Sequence, residues 1–364
     1  MPYSLTLLDS TNQPRHKEHR SRRRIRAILF SLIIALIVAS SSTAAASPWT
    51  LPADELVFNI DQTFQHADHE YLVDGTYQAF PLNAHFRSQS MRLGARYGFS
   101  DRFEGAIDIT IGHLTYSADT LILNEFDEIP SPGEATETIL DFNSSQFGAA
   151  DLRLQGHYNL LAGPVMVTTG TTVKFPTGYE QPTGTFFTDK AGNTRTGGQA
   201  TLGDGQTDVM QSLLLGTYIA ETETFMAGEA AFRYRFSSPG HQAVANLRVG
   251  QYLNDSVIAI AGLSGETTLT EGEVIGETFV AVDPSVSNTD FTGDNIEVRD
   301  LRLDRDVLNI NAGLLFDLGA VEVTANYGRT MWGRNVAAAH SFTVGTIFAI
   351  EDVTGRNTSD LPQE

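Results

Sequence analysis

The residues best suited to chemistry in this sequence are charged side chains that recur at every second position. In the segment 103–111, Glu104 and Asp108 share one face, while isoleucines at the alternate positions share the other. Because successive side chains of a β-strand point to opposite faces, this spacing separates charge from apolar surface. Carboxylates and guanidinium groups gathered in one interior either pair with one another or select a charged solute. The alternation assigns to one interior Arg92, Arg96, Glu104, Asp108, Arg153, Lys174, Glu229, Arg233, Arg235 and Arg248, together with Asp151, Asp208 and Glu322.

The elements that must position these side chains are β-strands. From Glu55 onward the chain shows an apolar–polar period of two and no helical periodicity. This pattern predicts strands with one apolar and one polar face. We expect about a dozen of them, near residues 55–66, 86–99, 103–117, 151–161, 165–175, 207–220, 224–236, 243–253, 257–268, 307–317, 321–330 and 340–350.

The connections between these segments alternate between short and longer ones. The short ones are 100–102, 162–164, 221–223, 254–256 and 318–320, and the longest of the others are 118–150, 176–206 and 269–306. A membrane barrel with short periplasmic turns and long extracellular loops requires this alternation, whereas a soluble sandwich does not. We therefore predict an all-β fold, a transmembrane antiparallel β-barrel of about twelve strands over residues 47–350, with polar side chains in its lumen.

Aromatic residues near the predicted strand ends allow two interpretations. They suit the girdles that aromatic side chains form at membrane interfaces, and they equally suit an ordinary core. The residues concerned are Tyr97, Phe99, Phe103, Tyr116, Phe175, Phe236, Phe316 and Phe348.

The two ends of the chain differ from the predicted barrel. A basic block, an apolar run over 27–38 and the small residues 44–46 form the pattern of an export signal. A spanning helix needs roughly 20 apolar residues, so we predict a cleavable signal peptide over 1–46 and a location in a Gram-negative outer membrane. Residues 351–364 are a polar C-terminal tail without an assigned role. They follow the last strand, where Phe348 is a candidate for the aromatic signal that barrels usually carry at their end.

The amino-acid composition limits which binding partners and which stabilising bonds the chain can have. Residues 1–46 hold seven of the 24 basic and two of the 44 acidic residues, so the remainder carries a formal charge of −25. This acidity argues against a nucleic-acid partner. The sequence has no cysteine, which excludes disulfides and thiolate metal sites.

Four blocks of the sequence resemble a known family as a set. They are RYGFSDRFEGAIDI at 96–109, GAAD at 148–151 leading into LRLQGHYNLL, TTVKFPTGYEQPTG at 171–184, and LGDGQTDVMQSLLLGTY at 202–218. They resemble the outer-membrane barrel family labelled "MetA-pathway of phenol degradation", although Ala149 and Ala150 stand where a glycine beside the Asp is expected. The resemblance implies a barrel that serves as a channel or transporter for small compounds, aromatic or hydrophobic ones included.

The predicted function is therefore passage of small solutes, with selectivity set by the inward charges and by long loops folded over the mouth. The partners expected are outer-membrane lipid or lipopolysaccharide, the barrel-assembly machinery and a small-molecule solute; no cofactor and no enzymatic activity are expected. The inward charges equally fit a ladder of ion pairs, which is compatible with a pore. The alternative is a pore-less structural or surface-binding barrel, which would follow if Met210, Leu214 and Tyr218 fill the interior.

A third alternative is an outer-membrane lipid hydrolase with Ser and His on its outer face. His340 and Ser341 are adjacent and so point to opposite faces, and for His113 we expect no serine partner. Acidic runs such as 125–128 and 300–306 lack the spacing of a known calcium loop, so we predict no metal site. The glycines of 176–178 and 203–205 are interpreted as turn residues that adopt positive φ.

Overall fold

Twelve antiparallel strands close into one barrel in the computed structural model. The structure describes residues 47–124, 137–179, 182, 186–188, 194–196, 201–237, 239–288, 290, 293–351 and 353. The predicted signal peptide, the acidic run 125–128 and nearly all of the tail 351–364 lie outside these residues. The barrel strands are β1 (Leu56–Ala67), β2 (His85–Ser100), β3 (Phe103–Ser117), β4 (Ser144–Leu161), β5 (Val165–Pro176), β6 (Asp208–Ile219), β7 (Thr224–Arg235), β8 (Gln242–Asn254), β9 (Val257–Thr268), β10 (Asp306–Asp317), β11 (Val321–Arg334) and β12 (His340–Ile350).

Each strand pairs with its neighbours in chain order, and β12 closes the ring against β1 over the register Leu56↔Ile350 to His66↔His340. The predicted fold class and strand number are confirmed. The five short turns lie at one end of the barrel and the longer connections at the other. Because short turns are periplasmic in membrane barrels, we refer to the two ends as the short-turn end and the long-loop end.

Two strands are longer than the alternation predicts. β4 begins at Ser144 rather than near Asp151, and β11 continues to Arg334 rather than ending near Thr330. In both cases the pairing shifts register, between Ile109 and Ile111 where β3 faces β4, and between Leu308 and Asn309 where β10 faces β11. Such a β-bulge interrupts the period of two, so that the residues beyond it no longer continue the same alternation.

The outer face of the barrel is an apolar band. On β1, Phe58, Ile60 and Phe64 are each about 40% exposed, whereas the alternate residue Val57 is 1% exposed. This arrangement is the reverse of a soluble protein, which rarely leaves a large apolar patch uncovered. It matches a barrel surrounded by lipid.

The aromatic residues at strand ends divide between the two faces. Phe99, Phe103 and Phe348 lie on the outer face, as a girdle requires. Tyr116 instead points inward and lines the lumen cavity. The girdle interpretation is therefore wrong for Tyr116, because its even position on β3 shares the inner face with Glu104 and Asp108.

The long loops add small sheets beyond the barrel rim. The strands Thr194–Thr196, Phe186–Thr188, Gly276–Ala281 and Ile296–Leu301 form one sheet; Val336–Ala337, His69–Tyr71 and Tyr77–Ala79 form a second; Leu121–Asn124 and Glu137–Leu140 form a third. The described residues include no helix that is long and apolar enough to cross a membrane.

Candidate functional site: the barrel lumen

Ion pairs between neighbouring strands line the short-turn half of the lumen. Arg92 Nη2 lies 2.6 Å from Asp61 Oδ2, directly across the β1–β2 pair. Arg96 Nη2 lies 2.6 Å from Glu104 Oε2, and His157 Nδ1 lies 3.1 Å from Glu104 Oε1. Glu104 is fully buried. A carboxylate removed from water in this way needs both partners, because an unpaired buried charge is strongly destabilising.

Further ion pairs lie toward the long-loop end. Arg153 Nη1 lies 3.8 Å from Asp108 Oδ1, while Asp108 Oδ2 accepts a hydrogen bond from Gln155 Nε2 at 2.6 Å. Arg233 Nη1 lies 3.0 Å from Glu266 Oε2, and Glu266 also pairs with Arg305 from the loop 269–306. These contacts connect charges on β3, β4, β7 and β9 into a polar inner wall.

Asp204 joins two lumen cations and fixes a loop segment inside the barrel. It accepts a hydrogen bond from Lys174 Nζ at 2.5 Å on one oxygen and from Arg235 Nη2 at 2.5 Å on the other. Burial alone would raise the pKa of Asp204, but the positive charges of Lys174 and Arg235 outweigh it and lower the pKa to about 2. The segment 201–207 therefore lies against the inner wall.

Neighbouring contacts hold the same segment in place. Tyr179 Oη donates to Asp151 Oδ1 at 2.7 Å and accepts from the Gly205 amide at 3.0 Å. Gly178 and Gly205 have positive φ, of 100° and 68°, as the turn interpretation predicts, whereas Gly203 does not and instead leaves space for the Tyr179 hydroxyl. The Gly-Asp-Gly turn thus has two roles, since its aspartate is also part of the charged wall.

Arg248 differs from the other inward cations because it forms no ion pair among the described residues. Its Nε is buried without a hydrogen-bond partner. The charges of Arg96 and Glu229 act on it electrostatically. Glu229 in turn accepts a hydrogen bond from Asn246 at 2.7 Å on Oε2, while its Oε1 is buried without a partner. Polar groups left in this state can be satisfied by water or by a solute in the lumen.

Residues 47–54 enter the lumen at the short-turn end. The side chain of Leu51 is fully buried, and its amide donates to Glu104 Oε2 at 2.8 Å. The carbonyl oxygen of Pro48 accepts a hydrogen bond from Thr168 Oγ1 at 2.5 Å, and the Trp49 ring contacts the edge of Phe225. These partners belong to the inner faces of β3, β5 and β7.

The segment leads into β1 and contacts the inner faces of strands from β2 to β7, half of the ring, so it lies inside the lumen rather than beside it. Glycines on the inner wall make room for it. A Cβ at Gly98 of β2 would collide with the carbonyl oxygen of Pro52, and one at Gly216 of β6 would collide with the Pro48 ring. We call residues 47–54 the lumen segment.

A cavity of about 1590 Å³ occupies the long-loop half of the barrel and its mouth. Its wall includes residues from eleven of the twelve barrel strands, β1 to β11, and loop residues that fold over the opening. The principal polar members are Arg153, Lys174, Asp208, Glu229, Arg233, Arg235, Asn246 and Glu266, with Asp204, Arg302 and Arg305 at the mouth.

All thirteen predicted inward residues lie on the inner face, but the sequence analysis missed several of their partners. Asp61 and Glu266 follow the same alternation and were identifiable from it. Asp204 lies in a turn, and the lumen segment precedes the first strand. No periodic pattern marks either of them, because their position depends on how the chain folds back into the ring.

The side chains proposed to fill a pore-less interior do so only in part. Leu214 is fully buried, whereas Met210 lines the cavity and Tyr218 is 42% exposed. The lumen segment, rather than these three residues, is the main obstruction among the described residues.

One expectation about catalysis is wrong. His113 does have a serine partner, since its Nε2 lies 3.0 Å from Ser145 Oγ. Ser145 was missed because the first part of β4 was assigned to a loop. Acyl transfer also needs an acceptor on the other ring nitrogen and donors for the oxyanion. The described residues supply neither to His113, whose ring instead faces Phe147. The described residues also include no cluster able to hold a metal ion.

Comparison with known proteins identifies the fold but no sequence family. No protein-family model and no curated protein matches the chain. An outer membrane channel from Pseudomonas putida F1 aligns with a TM-score of 0.55 and 12% identity, covering 85% of this chain and 100% of that one. The two share a barrel fold. The NanC porin aligns with a TM-score of only 0.42 and 7% identity, over 80% of this chain and 98% of that one.

Proposed function

We propose that this protein is an outer-membrane channel for small polar solutes, closed at its periplasmic mouth by the lumen segment. The observation that carries the proposal is a large polar cavity in the long-loop half of the barrel, together with the lumen segment that is held inside the barrel at the opposite end. The apolar outer band supports placement in a membrane. The solved structure with the same fold is described as an outer membrane channel.

The cavity wall favours polar or charged solutes over hydrocarbons. Arginine, lysine and carboxylate side chains line it, and Glu229 Oε1, which has no hydrogen-bond partner among the described residues, remains to interact with a solute. The resemblance to the "MetA-pathway of phenol degradation" family suggests aromatic compounds. An aromatic solute that carries a carboxylate fits both suggestions. Its carboxylate would pair with the cations of the cavity wall, and its ring would contact Tyr116 at the mouth.

The competing proposal is a permanently closed barrel that serves as a structural or surface-binding protein. The lumen segment favours it, because buried Leu51 and the hydrogen bonds to Glu104 and Thr168 hold the segment firmly. The two proposals differ in whether the obstruction is displaced during function.

Single-channel recording in planar bilayers separates the two proposals. We would compare residues 47–364 with a variant that begins at Glu55, after confirming for both that gel mobility shifts on heating as it does for a folded barrel. A channel predicts brief or small conductance steps for the longer chain and larger, long-lived steps for the shorter one. If neither chain conducts although both form folded barrels, the result would contradict the channel and support the closed barrel.

We further propose export by a signal peptide that is cleaved after Ala46. Cleavage there would leave Ser47 as the first residue, directly at the start of the lumen segment. The intact mass of the protein purified from outer membranes tests the cleavage, since retention of residues 1–46 would add their mass to the measured value.

A further inference from the structure

Four basic or imidazole side chains form a row across the outer face near the long-loop end. Arg329 of β11 pairs in register with His340 of β12, His340 pairs with His66 of β1, and His66 pairs with Arg87 of β2. Adjacent strands lie ~4.8 Å apart, so the row extends for roughly 15 Å around the barrel. All four positions lie on the outward face. We call these four residues the basic row.

The basic row lies directly above an aromatic row on the same strands. Two residues nearer the membrane centre, Tyr327, Phe342 and Phe64 are paired in register across β11, β12 and β1. Phe64 and Phe342 are 43% and 46% exposed on the outer face. Aromatic belts mark the level of the lipid headgroups. The basic row therefore lies at, or just outside, the level where the phosphate groups of the outer leaflet are found.

The position of these cations is unusual for this barrel. Apart from Arg334, which is paired with Asp306, the other arginine and lysine side chains of the twelve barrel strands point into the lumen. Arg87 is exposed and forms no ion pair with any described residue. The nearby carboxylate of Asp68 is held by His69 Nδ1 at 2.8 Å. An exposed cation at a lipid-facing position is stabilised when an anion of the membrane accompanies it.

We propose that the basic row binds the phosphate groups of a lipopolysaccharide molecule, with the acyl chains of its lipid A against the aromatic row. Lipid A carries two phosphates on a disaccharide above several acyl chains, which matches a wide row of cations above an apolar band. Arg87 and Arg329 contribute bidentate, charge-assisted hydrogen bonds to phosphate oxygens. His66 and His340 contribute ring N–H donors between them. The proposal rests on the outer-membrane placement given under the proposed function, but not on conduction.

Native mass spectrometry of the folded chain in detergent micelles tests the proposal. The chain 47–364 is titrated with bisphosphorylated lipid A and with the same lipid after removal of both phosphates. The double variant Arg87→Gln/Arg329→Gln is compared with Arg102→Gln, which removes an exposed arginine at the short-turn end. All samples must first show the heat-dependent gel shift of a folded barrel. If the double variant does not fold, Arg87→Gln alone replaces it.

We expect the unmodified chain and Arg102→Gln to retain the bisphosphorylated lipid about tenfold more tightly than the dephosphorylated one. The double variant should lose this preference. Equal retention of both lipids by the unmodified chain, or an undiminished preference in the double variant, would overturn the proposal. Competition with inorganic phosphate distinguishes the source: displacement at millimolar phosphate would indicate a site for free phosphate rather than for the lipid. None of these outcomes depends on conductance.

Discussion

In the proposed channel, Arg248 is the single residue that we expect to affect solute selection most directly. The other inward cations lie near carboxylates, for example Arg92 beside Asp61 and Lys174 beside Asp204. The opposite charges of each pair cancel most of the electrostatic field that the pair produces at a distance. Arg248 has no ion-pair partner among the described residues, and it pairs in register with Ala227, between Phe225 beside the lumen segment and Glu229 in the cavity wall. Its field therefore acts on any ion that passes between the cavity and the lumen segment.

Replacing Arg248 by Gln should shift selectivity toward cations. At a few ångströms and in water-filled surroundings, one charge is worth ~1 kcal/mol, so the permeability ratio should change by about fivefold. Reversal potentials in a salt gradient, measured on the chain that begins at Glu55, check this expectation. The neutral double variant Asp61→Asn/Arg92→Gln is the control, because it removes a pair without changing net charge. A permeability ratio that changes equally in Arg248→Gln and in the double variant would contradict a special role for Arg248.

Asp204 gives the loop 201–207 a defined dependence on pH. Its pKa in the folded barrel is about 2 and its ordinary value is near 3.8. A depressed pKa contributes stability that is complete above the ordinary value and is lost as pH falls toward the folded one. The chain has no cysteine, so a nitroxide attached through Thr201→Cys reports on this segment alone. It should be immobile at pH 7 and become mobile between about pH 4 and 2.

The control for this measurement is Asp204→Asn, which removes the charge that Lys174 and Arg235 share. In that variant the nitroxide should be mobile throughout the same pH range. A label that stays immobile in Asp204→Asn would mean that Tyr179 and the surrounding contacts hold the segment without the aspartate.

At the scale of elements, the lumen segment and the strands fit each other through two glycines. Gly98 and Gly216 leave the space that Pro52 and Pro48 occupy. Other inner-wall glycines, such as Gly94 beside Asn59 and Gly345 beside Asp61, instead leave space for side chains of neighbouring strands. The strands therefore include features whose physical reason is a segment that precedes them in the chain, rather than the strand geometry itself.

Gly216→Val should expel the lumen segment without altering its sequence. A branched side chain on the inner face of β6 collides with Pro48, and overpacking of this kind typically costs ~1–3 kcal/mol. Conductance of the chain 47–364 should approach that of the chain that begins at Glu55. Gly163→Val is the matched control, since no atom lies within 4 Å of a Cβ there. Unchanged conductance in Gly216→Val would show that the segment is not the barrier.

At the scale of the whole molecule, the barrel could be predicted because its architecture depends on local alternation and on turn length. Strand number, closure and the inward placement of residues such as Arg233 follow from a period of two. The early start of β4 and the inner orientation of Tyr116 required more than periodicity. The lumen segment and Asp204 could not be predicted, because residues far apart in sequence determine where they lie. The outward basic row was not predicted either, because its four residues become neighbours only through the register of four strands.

The closing pair of strands has a consequence for biogenesis. β1 is the first barrel strand along the chain, yet one of its edges pairs only with β12, which is the last. Contacts between such distant parts form slowly, because the whole intervening chain must be arranged first. Until then β1 has an open hydrogen-bonding edge beside exposed Phe58, Ile60 and Phe64, a combination that favours aggregation. We therefore expect the chain to need protection from aggregation until β1 pairs with β12.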